Sequence, residues 1–233
     1  MTTWGVERAR GPAAGHHGRT VPEGAGRAVW VLDVDRPALV LGSTQPEADV
    51  DHGAAHRLGV EVVRRRSGGG AVLLDPGEVA WVDVVVPRGD ELWHDDVAVA
   101  AEWLGEAWAG ALEVLGVAGP SVHRGGLVRT PLAPVVCFAG TGPGEVLVAA
   151  RKAVGISQRR TRAAARFQCA VPLVWRPERH AELLAPGVRR ALPGVGAPTA
   201  LADVAVLPVG SATAPASALG VDDVVEALLS VLP

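Results

Sequence analysis

Lys152 is the only lysine among 22 Lys and Arg residues in a chain of 233. There is no tyrosine or asparagine and one isoleucine, a bias toward Arg, Ala, Gly and Val. Where a solvated charge is all that is needed, arginine serves as well as lysine, so surface lysines are lost under such a bias. A lysine that persists is expected to be needed as an amine, a compact and tunable point charge that a planar guanidinium does not replace. Two thiols, Cys137 and Cys169, are too few to staple a domain of this size, and in a reducing compartment they stay free. A third group is Arg64-Arg65-Arg66-Ser67-Gly68-Gly69-Gly70, in which cations precede backbone that a ligand can approach closely, a pattern suited to an anion or an acyl adenylate. No Gly-Lys-Ser/Thr follows it and the dinucleotide spacing is absent, so it is neither a P-loop nor a Rossmann fingerprint. Each group also has a plain reading: a lysine left by chance, cysteines acting as small core hydrophobes, and a flexible hairpin connection.

Short strands must position these residues. Residues 28–33 and 38–41 read as two strands, followed by the loop Gly42-Ser43-Thr44-Gln45-Pro46 and a short helix to about residue 57. A strand over 60–63 leads into the glycine-rich segment, strand character resumes at 71–74, Asp75-Pro76-Gly77 is a turn, and 78–86 is a further strand. Apolar residues Val97, Ala101, Leu104, Trp108, Leu112 and Leu115 recur at helical steps, predicting a helix between 90 and 116 that carries Trp93, Trp103 and Trp108 and ends at Gly116. Gly105 and Gly110 weaken it. Strands are expected over 145–150, 153–158 and 167–174, a loop-rich stretch over 186–219, and a closing helix over 222–232. The fold class is α+β or mixed α/β, a mostly antiparallel sheet flanked by helices.

Composition sets the outer limits. With 48% hydrophobic and 20% charged residues the chain suits one domain, expected over residues 27–233 behind a disordered tail of residues 1–26 that includes His16 and His17. A net charge of -3 gives no cationic field, so nucleic acid is not expected as a partner. The tail lacks a signal-peptide core and no membrane-spanning run occurs, so neither a membrane partner nor export is expected and the location is cytoplasmic. No metal site is expected: His52 and His56 sit four apart without a zincin glutamate, as on a solvated helix face. The run Arg159, Arg160, Arg162, Arg166 reads as a solvated turn on which an acidic carrier protein could dock.

Arg65-Arg66-Ser67-Gly68-Gly69-Gly70-Ala71-Val72, then Asp75 and Gly77, resembles the signature of lipoate-protein ligases and octanoyltransferases, which share the catalytic domain of biotin ligases. The segment 151–159 around Lys152 is similar to the second signature of that family, and 38–45 resembles its early strand and Gly-x-x-Gln turn, so the likeness runs from about Val29 to Trp175. The resemblance implies an acyltransferase or ligase of protein lipoylation. Arg65, Arg66, Ser67, Gly68, Gly69, Gly70 and Ala71, with Gly155 and Ser157, would then bind the acyl chain or its adenylate, and Lys152 would hold the acyl carbonyl or phosphate. Val135-Val136-Cys137-Phe138-Ala139 resembles the segment of one octanoyltransferase branch whose cysteine carries the acyl thioester, and Lys152 is the expected cationic activator of that thiolate. Two positions depart from the family: Leu74 and Cys169 stand where relatives carry histidines, and Cys169 is only a reserve nucleophile.

Two routes follow. In one, Cys137 takes an octanoyl group from acyl carrier protein and an acceptor lysine displaces it. In the other, lipoate, ATP and Mg2+ give lipoyl-AMP, which the acceptor attacks directly. The acceptors implied are apo lipoyl domains of 2-oxoacid dehydrogenases or the glycine cleavage carrier protein, and no tightly bound cofactor is expected. Cys137, and the short stretch after Trp175 that leaves little space for an accessory domain, favour transfer. A biotin ligase lacks support because the Gly-Arg-Gly-Arg signature is absent, and the lost histidines admit an acyl-binding or carrier-docking relative without turnover.

Overall fold

Alternation in Val79–Pro87 sorts its side chains onto two faces, with Ala80, Val82, Val84 and Val86 on one side and Trp81, Asp83 and Val85 on the other. The computed structural model, which describes residues 3–191 and 219–233, makes this strand the centre of the molecule. The strands are β1 (Gly5–Gly11), β2 (Ala28–Val34), β3 (Ala38–Leu41), β4 (Glu61–Arg64), β5 (Val72–Leu74), β6 (Val79–Pro87), β7 (Pro120–Val122), β8 (Val146–Val148), β9 (Arg151–Arg160) and β10 (Ala164–Pro172). The helices are α1 (Ala13–Gly18), α2 (His52–Arg57), α3 (Glu102–Val114), α4 (Pro177–Glu182), α5 (Pro186–Ala191) and α6 (Val221–Val231).

A seven-stranded sheet runs β1-β2-β6-β10-β9-β8-β7, and a three-stranded sheet runs β4-β3-β5. Among the strands named, β1 with β2 and β3 with β4 pair in parallel and the other ladders are antiparallel, in keeping with the mixed, mostly antiparallel sheet expected. Val29, Val31, Val82, Val84, Phe167 and Val171 pack beneath α3 and α6 in one core. The opposite face of the large sheet, with Trp30, Leu32 and Trp81, meets Ala38, Val40 and Leu74 of the small sheet. The candidate site opens between the two sheets.

Three sequence expectations are revised. Residues 5–18, placed in a disordered tail, form β1 and α1. β1 is a mostly exposed edge strand with no apolar alternation to announce it, and it exists by pairing along the whole of β2. The helix expected from residue 90 begins at Glu102, because Asp90 and Asp96 accept bonds from the N–H groups of Leu92 and Ala98 (2.9 and 2.8 Å) and divert the backbone into turns. Trp93 therefore lies outside α3, with the Arg160 guanidinium 4.5 Å over its ring. Gly116 does end the helix in the left-handed region, at φ 81°. Of the loop-rich stretch, residues 186–191 are α5, residues 192–218 lie outside the described residues, and α6 begins at Val221.

Candidate functional site

The glycine-rich segment and the Cys137 segment, far apart in sequence, are laid side by side by backbone bonds. Ala71 N–H donates to Val135 O at 3.0 Å and Cys137 N–H to Ala71 O at 2.9 Å. The approach is too close for side chains: a Cβ on Gly70 would lie 2.4 Å from Val136 N, and one on Gly42 would lie 1.8 Å from Gly69 O. Gly69, at φ 93°, turns its bare face toward Cys137, where a Cβ would sit 3.3 Å from Sγ.

Arg65 sits inside this fold-back rather than on its surface. Its guanidinium donates to Val40 O (3.1 Å), Gly68 O (2.7 Å), Gly70 O (2.8 Å) and Cys137 Sγ (3.4 Å). Arg64 similarly holds the preceding turn by donating to Gly42 O (2.8 Å) and Gln45 O (2.6 Å). Of the three arginines only Arg66 points to solvent without an ion-pair partner among the described residues, so it alone keeps its donors for a ligand in the way expected of the group.

Lys152 is 2% exposed. Its ammonium donates to Cys137 O (3.0 Å), Gly140 O (2.7 Å) and the Glu145 carboxylate (2.9 and 3.1 Å), so it grips the single 3-10 turn Cys137–Ala139 from behind. The cation in contact with the Cys137 sulfur is therefore Arg65, and not Lys152 as the sequence suggested. Glu145, which sequence reasoning passed over as a strand residue, also accepts from Gly142 N–H (2.7 Å) and Ile156 N–H (3.1 Å). A signal for it existed: a buried lysine needs a counter-charge, and Glu145 is the acid nearest to Lys152 in sequence, on the hairpin arm that pairs with β9.

Cys137 is half-buried and stands where two spaces meet. One is a mainly apolar cleft of about 520 Å³ between the sheets, with Val40, Val72 and Leu74 above and Trp81, Gly155 and Ala170 below. The other is a broader groove of about 1150 Å³ along Gln45, Gly68, Gly69 and Lys152. Ser157 and Ile156 line both. Gly155 lies on the floor beside Phe138, Glu145 and Lys152, which a Cβ there would meet at ordinary contact distances of 3.4 to 3.7 Å. In the groove wall the Gln45 amide is buried without protein partners, as is the Ser67 hydroxyl beside the groove's Gly68. Such groups are costly unless something bonds to them.

Cys169, the reserve nucleophile, is fully buried in the core beneath α3, where burial pushes its thiol well above the ordinary range. Near the far end of the cleft His17 lies 4.5 Å from the Trp81 ring, and burial, then Arg65, Arg166 and His16, hold its imidazole down at about 3 from 6.5. His52 and His56 are exposed on α2, and no cluster of three metal-ligating side chains occurs among the described residues. In the basic run, Arg166 is buried against Asp83 (2.6 Å) and Arg160 donates to the carbonyls of His94 and Asp95, which leaves Arg159 and Arg162 for a partner. No helix among the described residues is long and apolar enough to cross a membrane.

Several solved structures share this fold at low identity. Lipoate-protein ligase A bound with ATP aligns with a TM-score of 0.68 at 18% identity, covering 96% of this chain and 81% of its own. A structure of a bipartite lipoate protein ligase and its E2 lipoyl domain from Thermoplasma acidophilum gives 0.70 at 16%, covering 99% and 82%. LipL1 of P. falciparum in complex with lipoate gives 0.66 at 10%, covering 98% and 61%. No curated protein sequence matches. Residues 18–193 match the model of the lipoyl protein ligase A/B catalytic domain, a span holding both sheets' site residues, so the chain belongs to that family and is a ligase or acyltransferase of protein lipoylation.

Proposed function

We propose that this chain moves an octanoyl or lipoyl group onto a lysine of an apo lipoyl domain with Cys137 as the covalent carrier. The observation that carries this reading is the place of Cys137 Sγ, at the junction of an apolar cleft fit for an acyl chain and an open groove fit for the donor and acceptor. The thiolate attacks the thioester carbonyl of octanoyl acyl carrier protein, the new S–C bond forms, and the carrier leaves as its thiol with the proton. The acceptor lysine, as free amine, then attacks the Cys137 thioester, giving the amide and returning the thiol. Arg65 orients the sulfur, and Gly69, without a Cβ, leaves the approach to it open. Lys152 holds the turn that presents Cys137. Its other assigned duty, stabilising the acyl oxyanion, requires the ammonium to exchange one of its backbone carbonyls for the substrate's.

A second reading, the ATP-dependent ligase, is favoured by the unpartnered Gln45 amide in the groove, a polar group placed for a nucleotide rather than for an acyl chain. The related ligase solved with ATP supports it. Mg2+ would arrive with the ATP phosphates; two carboxylates line that groove, and Asp49 is the one not already paired with Lys152. The Thermoplasma structure that includes an E2 lipoyl domain supports the same acceptor for either route, and Arg159 and Arg162 are the cations left to meet an acidic carrier.

Intact-mass measurement separates the routes. Wild type is incubated with octanoyl acyl carrier protein, or with lipoate, ATP and Mg2+, each with and without apo lipoyl domain. An octanoyl adduct that disappears in Cys137→Ser establishes transfer, and modification of the acceptor only with ATP, retained in Cys137→Ser, establishes the ligase. Failure in both arms leaves the acyl-binding relative without turnover and refutes the proposal.

A further inference from the structure

The N-terminal helix α1 has no part in the chemistry above, yet it reaches the acyl cleft. His17 lines that cleft, and its Nε2 is buried without a protein partner. Gln168 Nε2 lies 3.4 Å from His17 Nδ1. The ring rests on Trp81 at 4.5 Å. It is held from behind: Arg166, paired with Asp83, donates to His16 O at 2.7 Å and also to Arg19 O, and His16 Nε2 bonds Asp33 O at 2.8 Å. This end of α1 is thus a braced wall.

The cleft has a direction. Cys137, Glu145 and Gly155 mark its β9 end, while Trp81 and His17 mark its β6 end, with Ala170 of β10 between. Two strand spacings separate β9 from β6, about 9–10 Å, the reach of a medium acyl chain lying across the strands. We propose that His17 is the specificity-determining residue that closes the far end of the acyl cleft and so limits the length of the chain that Cys137 accepts. The inference rests on the acyl-transfer reading of the same site.

The test uses the full chain as wild type, His17→Ala and His17→Trp, each offered hexanoyl, octanoyl, decanoyl and dodecanoyl acyl carrier protein, with initial acylation rates read by intact mass. Removing the ring opens the wall, so the decanoyl-to-octanoyl rate ratio rises about tenfold or more in His17→Ala, the usual weight of a methylene against a closed apolar wall. The larger indole moves the wall inward and shifts the preference toward hexanoyl. Opposite shifts from one position cannot come from general destabilisation, and the Trp variant carries the test alone if the Ala variant fails to fold. Octanoyl transfer with an unchanged length profile in either folded variant overturns the inference while the acyl-transfer reading stands. No acylation of wild type by any chain overturns both.

Discussion

Glu145→Gln removes one negative charge from the site while keeping the shape of the side chain, and it isolates what the buried pair does. In the native protein Lys152 has the Glu145 carboxylate at 2.9 Å and two carbonyls, and both charged groups are nearly out of water. Without the carboxylate charge the ammonium stays buried and underpaired. Breaking such a pair from one side costs about 3–5 kcal/mol; the two carbonyls that remain put this variant near the lower end, about 3 kcal/mol. For a chain of this size that lowers the melting temperature by about 6–12 °C. The double variant Glu145→Gln with Lys152→Met removes the stranded charge as well, so it melts above Glu145→Gln although it carries one more substitution. Its acyl transfer stays lost, because the turn that presents Cys137 has lost its clamp. Thermal melts by circular dichroism, paired with the intact-mass acylation assay on the same samples, read both effects. A Glu145→Gln melt within about 2 °C of wild type, or a double variant that melts no higher than the single, would falsify the claim that the pair is a buried, mutually dependent clamp.

Charge-conserving exchanges of the two cations fail in both directions. Lys152→Arg abolishes acylation, since a planar guanidinium does not reproduce a compact ammonium on which four acceptor oxygens converge; wild-type-like adduct formation by intact mass refutes this. Arg65→Lys lowers the rate for the converse reason, as a single ammonium cannot hold Val40 O, bonded to Nη1, together with Gly68 O, Gly70 O and Cys137 Sγ, bonded to Nη2, and single-turnover acylation checks it. The β8–β9 hairpin turns through Ala149 and Ala150 at φ 48° and 62°, a conformation that suits Asn-Gly, so Ala149→Asn with Ala150→Gly raises stability by about 1–2 kcal/mol in a denaturant melt. His17, held down at about 3 from 6.5, contributes stability that is present above pH 6.5 and lost as pH falls toward 3. Asp83 has the opposite sign, its carboxyl pushed up to about 6 by burial against the pull of Arg166, so its contribution is present below 3.8 and lost as pH rises through 6. The difference between wild type and His17→Gln cancels Asp83, and stability curves from pH 7 to 4 show the variant losing less; equal losses refute the assignment.

The readings that succeeded rest on patterns that report local physics. Alternation exposed the strand around Trp81, turn chemistry placed Asp75-Pro76-Gly77, and Gly116 closed α3 where a left-handed residue was required. The pairing of Gly68-Gly69-Gly70 with Lys152 came instead from the family resemblance, and in the structure Gly68, Gly69 and Lys152 line one groove. What stayed hidden depends on partners. β1 is polar and exposed, and only the neighbouring β2 makes it a strand. α1 is too short to signal itself and is held by Arg166, an arginine whose burial against Asp83 nothing in its own neighbourhood announces. The inward turn of Arg65 is of the same kind: in a row of three arginines next to glycines, charge alone suggests a surface cradle, and only the folded loop shows that the carbonyls of Gly68 and Gly70 face inward and need a donor.

That distinction also accounts for the composition. Both cations at the site are buried, and each is matched to the geometry of its acceptors. Arg65 meets the two loop carbonyls and the sulfur through Nη2 and Val40 O of the neighbouring strand through Nη1, a spread that a planar fork of donors reaches together. Lys152 meets two carbonyls and a carboxylate that converge on one point, which suits three donors on a single nitrogen. A bias toward arginine could convert the lysines whose only duty was a solvated charge, but at position 152 a planar guanidinium would have to replace a compact ammonium on which four acceptor oxygens converge. The persistence of one lysine in the chain is then a record of local geometry around the Cys137 turn. The lysine holds the Cys137 turn in place, while the cation in contact with the sulfur comes from the glycine-rich segment.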